Sequence, residues 1–267
     1  MSGAEPDPDT GWVRVGSHTI RCSVRATDGP PLVLVNGLGS ALETWETFRH
    51  AIGTQPSIAF DAPGTGGSST PMQPVTIREL ADVALGLVEQ LGHPEVNVLG
   101  YSFGGAVAQE MARAAPTRVR RLILAATNCG WGSPLGDPLA VVSATTAGIS
   151  LSPRPNPLGH WWQLVAISLW SSFAWIAQVK QPTLVLAAQN DRVVPIAAAR
   201  LLVRELPNAR LAVVAGADHA FLLGDAASPA AARVLEFLAE DQVDQVDQVD
   251  QVDQVPVGSV GGALVCT

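Results

Sequence analysis

From Gly100 to Gly104 the chain reads Gly-Tyr-Ser-Phe-Gly, a G-x-S-x-G string. It follows the apolar run Val96 to Leu99 and precedes Ala106 to Ala115, whose pattern predicts a helix ending at Pro116. A strand, a sharp turn and a helix in that order would strain the serine and raise its hydroxyl into a cleft at the helix N-terminus, with glycines letting the backbones close up. Ser102 is therefore the candidate nucleophile. A serine hydroxyl attacks poorly until a base takes its proton, and the base needs a third group to hold its tautomer. Asp191 lies just past the apolar run Thr183 to Ala188, in Gln189-Asn-Asp-Arg-Val-Val-Pro195. His219 lies past Leu211 to Val214, in Gly216-Ala-Asp-His219. Both stand where the carboxyl end of a strand would deliver them, and the chain order is serine, acid, base.

The other histidines fail on position. His18 falls in an N-terminal hairpin, His50 and His93 come before the nucleophile or at a helix end, and His160 sits in an aromatic stretch. Asp218, beside His219, is kept as a minor rival to Asp191, and Asp225 reads as the start of a helix. Attack by Ser102 would generate an oxyanion that needs two preorganised N–H donors. One expected donor is the N–H of Phe103, directly after the serine. The other is the N–H of Leu38, in the loop Asn36-Gly-Leu-Gly39 after the apolar run Leu32 to Val35. Asp61-Ala-Pro-Gly-Thr-Gly-Gly-Ser68 lacks a phosphate-loop lysine and reads as a structural turn flanking the pocket.

The elements that must position these groups follow from the apolar pattern. Gly11 to Ala26 alternates around Gly16-Ser17, which suits a β-hairpin. Short, continuously apolar runs at Leu32 to Val35, Ser57 to Phe60, Val96 to Leu99, Leu122 to Ala126, Thr183 to Ala188 and Leu211 to Val214 suit a parallel sheet covered on both faces. Thr76-Ile-Arg-Glu79 reads as a capping box opening a helix whose apolar residues recur at three and four until Gly92. Strand and helix alternate, so the class is α/β.

The 267 residues, 47% hydrophobic and 15% charged, exclude global disorder. A net charge of -8 with no basic block argues against nucleic acid as a partner. Cys22, Cys129 and Cys266 are odd in number and far apart, which disfavours a disulfide scaffold or a structural metal. The acidic start has no charged-then-apolar signal pattern, so a cytoplasmic location is the expectation. Pro155 to Lys180 is long enough to span a membrane, but Gln163, Ser168, Ser171, Ser172 and Gln178 interrupt it, so a buried or half-buried helix is expected instead. The chain divides into a flexible start over 1–10, one domain over 11–240 with a lid at about 130–178, and a low-complexity tail over 241–267. The tail opens with five copies of Asp-Gln-Val and has no apolar face at either period; it is expected to be disordered or loosely helical.

With these residues in view, the chain resembles the α/β-hydrolase family: a mostly parallel sheet with helices on both faces and a short lid. More narrowly it resembles the intracellular depolymerases of medium-chain poly(3-hydroxyalkanoate). The stretches that carry this are Val35-Asn-Gly-Leu-Gly39, with Asn36 where many relatives have histidine, Phe60-Asp-Ala-Pro-Gly-Thr-Gly-Gly-Ser68, Trp162-Gln-Leu through Gln181-Pro-Thr-Leu-Val-Leu-Ala187, and Leu201 to Ala209. The resemblance implies ester hydrolysis through Ser102, Asp191 and His219, without metal or organic cofactor, on a hydrophobic ester or polyester. Two departures bear on substrate choice. The chain between Thr127 and His160 reads as shorter than the lid insertion of those depolymerases, and Asp218 replaces the usual glycine before the histidine. A small-ester, lactone or perhydrolase activity on the same triad is the alternative, and a non-catalytic protein binding a hydrophobic ligand is a further one. Dehalogenases and epoxide hydrolases carry an aspartate where Ser102 stands.

Overall fold

The computed structural model describes residues 9–25, 29–152, 154–224 and 227–240. Asp225, Cys266 and the expected tail lie outside them, as does most of the expected flexible start. Strands β1 (Thr10–Val15) and β2 (His18–Arg25) form the expected hairpin about Gly16, with β1 already paired at Thr10, opposite Ser23. Then come β3 (Leu32–Val35), α1 (Glu46–Ala51), β4 (Ser57–Phe60), α2 (Ile77–Gln90), β5 (Val96–Tyr101), α3 (Phe103–Ala114) and β6 (Val119–Ala125). The remainder is α4 (Pro138–Leu151), α5 (Pro157–Ser168), β7 (Thr183–Ala188), α6 (Ile196–Glu205), β8 (Ala209–Val214) and α7 (Ala227–Ala239). The eight strands make one sheet in the order β1-β2-β4-β3-β5-β6-β7-β8, antiparallel at β1, β2 and β4 and parallel from β4 onward.

Burial on both faces explains why the runs in β3 to β7 carry no polar alternation, whereas the run Leu211 to Val214 falls in the edge strand β8 and is half exposed, with Val213 at the surface. Leu32 and Leu34 of β3 face one layer with Trp45, Phe48 of α1 and Val234 and Phe237 of α7. Val33 and Val35 face the other with Leu80 and Val88 of α2, Val107 and Met111 of α3, and Leu202 of α6. Each such side chain contributes about 1.5–3 kcal/mol by leaving water. The capping box is present: Thr76 Oγ1 accepts the Glu79 N–H at 3.2 Å, and Glu79 Oε2 accepts the Thr76 N–H at 2.7 Å.

One expectation is corrected. The aromatic stretch 155–180 is not a single helix: α5 ends at Ser168, and the chain then pairs at Ser171 with Gly130 before a short 3-10 turn at Ile176–Gln178. There the chain is anchored by polar bonds to α3 and to the loop after β6. Ser172 donates its hydroxyl to Gln109 Oε1 at 2.6 Å, its N–H reaches the Cys129 carbonyl at 2.9 Å, and the Trp170 indole donates to Glu110 Oε1 at 3.2 Å. No helix among the described residues is long and apolar enough to cross a membrane.

The expected structural turn at Asp61–Ser68 is built around the carboxylate of Asp61, which is fully buried. It accepts N–H groups from Leu42 and Gly67, both at 2.7 Å, and pairs with Arg21 at 3.2 Å. A Cβ on Gly66, which has φ +49, would collide with that carboxylate, so glycine is required there.

Candidate active site

Every expected site residue lies at the carboxyl edge of the parallel strands. Ser102 joins β5 to α3 with φ 52 and ψ −116, a left-handed backbone that costs a non-glycine residue about 1–3 kcal/mol. The fold holds it there through its N–H, donated to the Ala125 carbonyl at 2.8 Å, and through the Gly105 N–H, which closes on the Ser102 carbonyl at 2.9 Å. The flanking glycines are needed for clearance. A side chain on Gly100 would strike Gly104, and one on Gly104 would strike the Val35 carbonyl at the end of β3. Gly105, which the sequence did not single out, has the same role against Thr127.

The structure brings Ser102, Asp191 and His219 into one hydrogen-bonded line. Asp191 can only accept, so His219 carries its proton on Nδ1 and donates it to Asp191 Oδ2 at 2.8 Å; the Ser102 hydroxyl then donates to Nε2 at 3.1 Å. The other oxygen, Asp191 Oδ1, accepts the N–H groups of Val193 and Val194, each at 2.8 Å. These bonds fix the carboxylate from behind. The loops carrying acid and base are stapled together as well, since the Asn190 N–H meets the Ala217 carbonyl at 2.8 Å and the Gly216 N–H meets Gln189 Oε1 at 2.8 Å.

Asp218 is not in this line. Its Oδ1 turns back to the Ala220 N–H at 3.0 Å. His18 begins β2, His50 lies in α1, His93 follows α2, and His160 is buried on α5, where burial pushes its pKa down. No group of three His, Cys, Asp or Glu residues among the described residues is arranged to hold a metal ion. Burial raises the Cys129 thiol to about 11, which leaves it a packing residue at neutral pH.

Sequence reasoning missed Tyr101. It is the last residue of β5, its ring lies 5.5 Å from that of His219, and its hydroxyl donates to the His219 carbonyl at 2.8 Å. Burial, with Asp191 and Asp218 nearby, pushes the phenol pKa up, so it remains a donor. Tyr101→Phe is expected to lower stability by about 1 kcal/mol and turnover several-fold by loosening the base. Thermal denaturation and steady-state kinetics check this; no change in either would remove Tyr101 from the support of His219.

Leu38 and Phe103 both line the cavity that contains Ser102. Among the described residues neither N–H has a hydrogen-bond acceptor. The turn carrying Leu38 is held by the Asn36 side-chain amide, which donates to the Ala41 carbonyl at 2.7 Å. The cavity measures about 630 Å³, and its walls away from Ser102 are largely apolar: Val141 and Ala144 of α4, Leu164 and Ile167 of α5, Trp170 and Leu223. The two helices between β6 and β7 thus form its roof. At its start α4 is tied to the loop carrying Asp191, because the Asp137 N–H donates to the Arg192 carbonyl at 2.7 Å and the two side chains pair at 2.6 Å.

Comparisons with known proteins agree with this architecture. Residues 30–172 match the alpha/beta hydrolase fold family model, and residues 171–250 match a model described as TAP-like protein. The chain is 32% identical to a poly(3-hydroxyalkanoate) depolymerase of Ectopseudomonas oleovorans, over 86% of this chain and 92% of that one. It is 28% identical to a pimeloyl-[acyl-carrier protein] methyl ester esterase of Aromatoleum aromaticum, over 72% of this chain and 91% of that one. Among solved structures, an enol-lactonase from Burkholderia xenovorans LB400 superposes with TM-score 0.76 at 23% identity, covering 86% of this chain and all of that one, a likeness of fold. On the fold, the family match and the relatives together, the chain belongs to the α/β-hydrolase family and is a hydrolase of the esterase type.

Proposed function

We propose that this protein cleaves esters through an acyl-enzyme on Ser102, and that its substrate is a medium-chain poly(3-hydroxyalkanoate) or its oligomers. The observation that carries the reading is the Ser102–His219–Asp191 hydrogen-bonded line at the floor of an apolar cavity. In this reading His219 Nε2 takes the proton as Ser102 Oγ bonds to the ester carbonyl carbon, and the carbonyl oxygen, now an oxyanion, is received by the N–H groups of Leu38 and Phe103. His219 returns that proton to the departing alcohol as the ester bond breaks. Water then enters, His219 takes one of its protons as the water oxygen bonds to the acyl carbon, and His219 returns that proton to Ser102 Oγ as the Oγ–acyl bond breaks and the acid leaves. Asp191 holds the imidazole tautomer throughout.

The polyester assignment is supported by the depolymerase relative and by the roof. Leu135, Leu139, Val142 and Trp131 of the segment after β6 are exposed, as are Trp161 and Phe173 near α5. The four tryptophans between 161 and 175, with Trp131, divide between two uses. Trp170 and Trp162 are spent on docking the roof, with indole donors to Glu110 and the Pro71 carbonyl, and Trp175 stacks under Arg113 at 4.6 Å. Trp161 and Trp131 remain at the surface for an apolar substrate to meet.

Specificity constants for p-nitrophenyl esters across acyl lengths test the substrate, since each methylene buried in the cavity adds up to about 0.8 kcal/mol. Octanoate is expected to exceed acetate by at least about tenfold, with 3-hydroxyacids released from a polymer suspension. A preference for acetate with no release from polymer would contradict the polyester reading and leave a small-ester or lactone hydrolase. No hydrolysis and no labelling by a fluorophosphonate would favour a hydrophobic-ligand binder.

A further inference from the structure

We infer that Gln163 of α5 is a positioning residue for the oxyanion loop, holding the Gly37–Ser40 turn so that the Leu38 N–H stays aimed at the developing oxyanion; the inference rests on the assignment of Ser102 as nucleophile. Gln163 is 124 positions away from Gly39 in sequence, yet its Oε1 accepts the Gly39 N–H at 2.8 Å, and the residue is 1% exposed.

The turn has few ways to hold its shape. The Ser40 N–H closes on the Gly37 carbonyl at 3.2 Å. In a trans peptide the Leu38 N–H points opposite to the Gly37 carbonyl, so that bond sets its direction. The next peptide plane carries the Gly39 N–H, and Gly39 has φ 68, a conformation glycine enters and leaves at little cost. Without an acceptor that N–H would be a buried orphan, and a swing of Gly39 away from this φ in search of water would displace Ser40 and break its bond to the Gly37 carbonyl, the bond that sets the direction of the Leu38 N–H. Gln163 removes the incentive. A void of about 10 Å³ beside this contact is lined by Gly37, Ser40, Phe103 and Gln163, which leaves room for about one water at most.

The acceptor is itself well placed because α5 is docked at three other points. The Asn156 side-chain amide donates to Thr70 Oγ1 at 2.6 Å, the Trp162 indole donates to the Pro71 carbonyl at 3.2 Å, and Gly159 lies against the backbone of Gly64 so closely that a side chain on either would collide with the other. Through α5 the turn after β4 braces the turn after β3. The roof and the oxyanion loop are therefore one mechanical unit, and the role of Gln163 is exerted through Leu38 without contact to the reacting atoms.

The test compares Gln163→Met, which keeps the side-chain length and roughly its volume but cannot accept strongly, with Gln163→Glu, which keeps an acceptor at the same reach. Donor misplacement acts on the transition state, so Gln163→Met is expected to lower kcat on p-nitrophenyl octanoate about 10- to 100-fold with KM within about twofold. It should weaken inhibition by an alkylboronic acid, whose boron becomes tetrahedral on the serine oxygen, by a similar factor. Gln163→Glu is expected to recover most of both. Unchanged kcat in Gln163→Met, a loss confined to KM, or equal losses in the two variants would overturn the inference, the last because the effect would then not depend on the acceptor. A wild-type protein that neither hydrolyses the ester nor is labelled at Ser102 by a fluorophosphonate would instead overturn the nucleophile assignment, and the inference with it.

Discussion

Ser102→Ala and His219→Ala are each expected to lower ester turnover by about four to six orders of magnitude, with the melting temperature nearly unchanged. The loss is large because nucleophile and base act as a unit: without the hydroxyl there is no covalent step, and without Nε2 the hydroxyl keeps its proton. Folding is spared because the Ser102 side chain caps nothing in α3 and makes its hydrogen bond to His219, while the strained turn is held by backbone bonds to Ala125 and from Gly105 that alanine retains. The double variant should be scarcely slower than either single one, which is the signature of a unit rather than of two independent contributions. Steady-state kinetics on p-nitrophenyl octanoate together with thermal denaturation read both halves. Additive losses would show the two residues acting separately.

Asp191→Asn is expected to cost about three to four orders of magnitude in kcat, and the surrounding bonds say why. Because the Val193 and Val194 N–H groups point at the Oδ1 position, an asparagine would keep its carbonyl oxygen there and turn its NH2 toward His219. That amide can only donate, so Nδ1 would have to accept and the imidazole proton would move to Nε2, where a lone pair is needed. Asp218→Asn should change kcat by no more than a few-fold, since an asparagine carbonyl can still accept the Ala220 N–H that Asp218 takes. The reverse pattern, an active Asp191→Asn beside an inactive Asp218→Asn, would transfer the acid role to Asp218.

The residues of this line could be read from the chain because each depends on local pattern. The runs Leu32 to Val35, Ser57 to Phe60 and Thr183 to Ala188 coincide with β3, β4 and β7, since continuous apolarity bounded by turn residues has few other uses in an α/β chain. Ser102, Asp191 and His219 then follow from standing just past strand ends. What the chain did not disclose is long-range. Nothing near Tyr101 announces a bond to the carbonyl of a residue 118 positions later, and Gly105 looks like any helical glycine until Thr127 is seen against it. The stretch after Pro155 reads as a helix because it is mostly apolar and nearly free of charge, and only Gln109, Glu110 and Cys129, distant in sequence, reveal what holds the chain once the winding stops after Ser168. Gln163 likewise looks like an interruption in an apolar segment, yet a buried glutamine needs a partner, and the partner is Gly39.

The central claim is that Ser102 is the nucleophile, activated by His219. Its most direct test is intact-mass and peptide-mapping spectrometry of the folded protein after brief exposure to an alkyl fluorophosphonate. One adduct is expected, on the peptide containing Ser102, absent in Ser102→Ala and formed at least about a thousandfold more slowly in His219→Ala. An adduct on another residue, or labelling of Ser102 at the same rate without His219, would contradict the account.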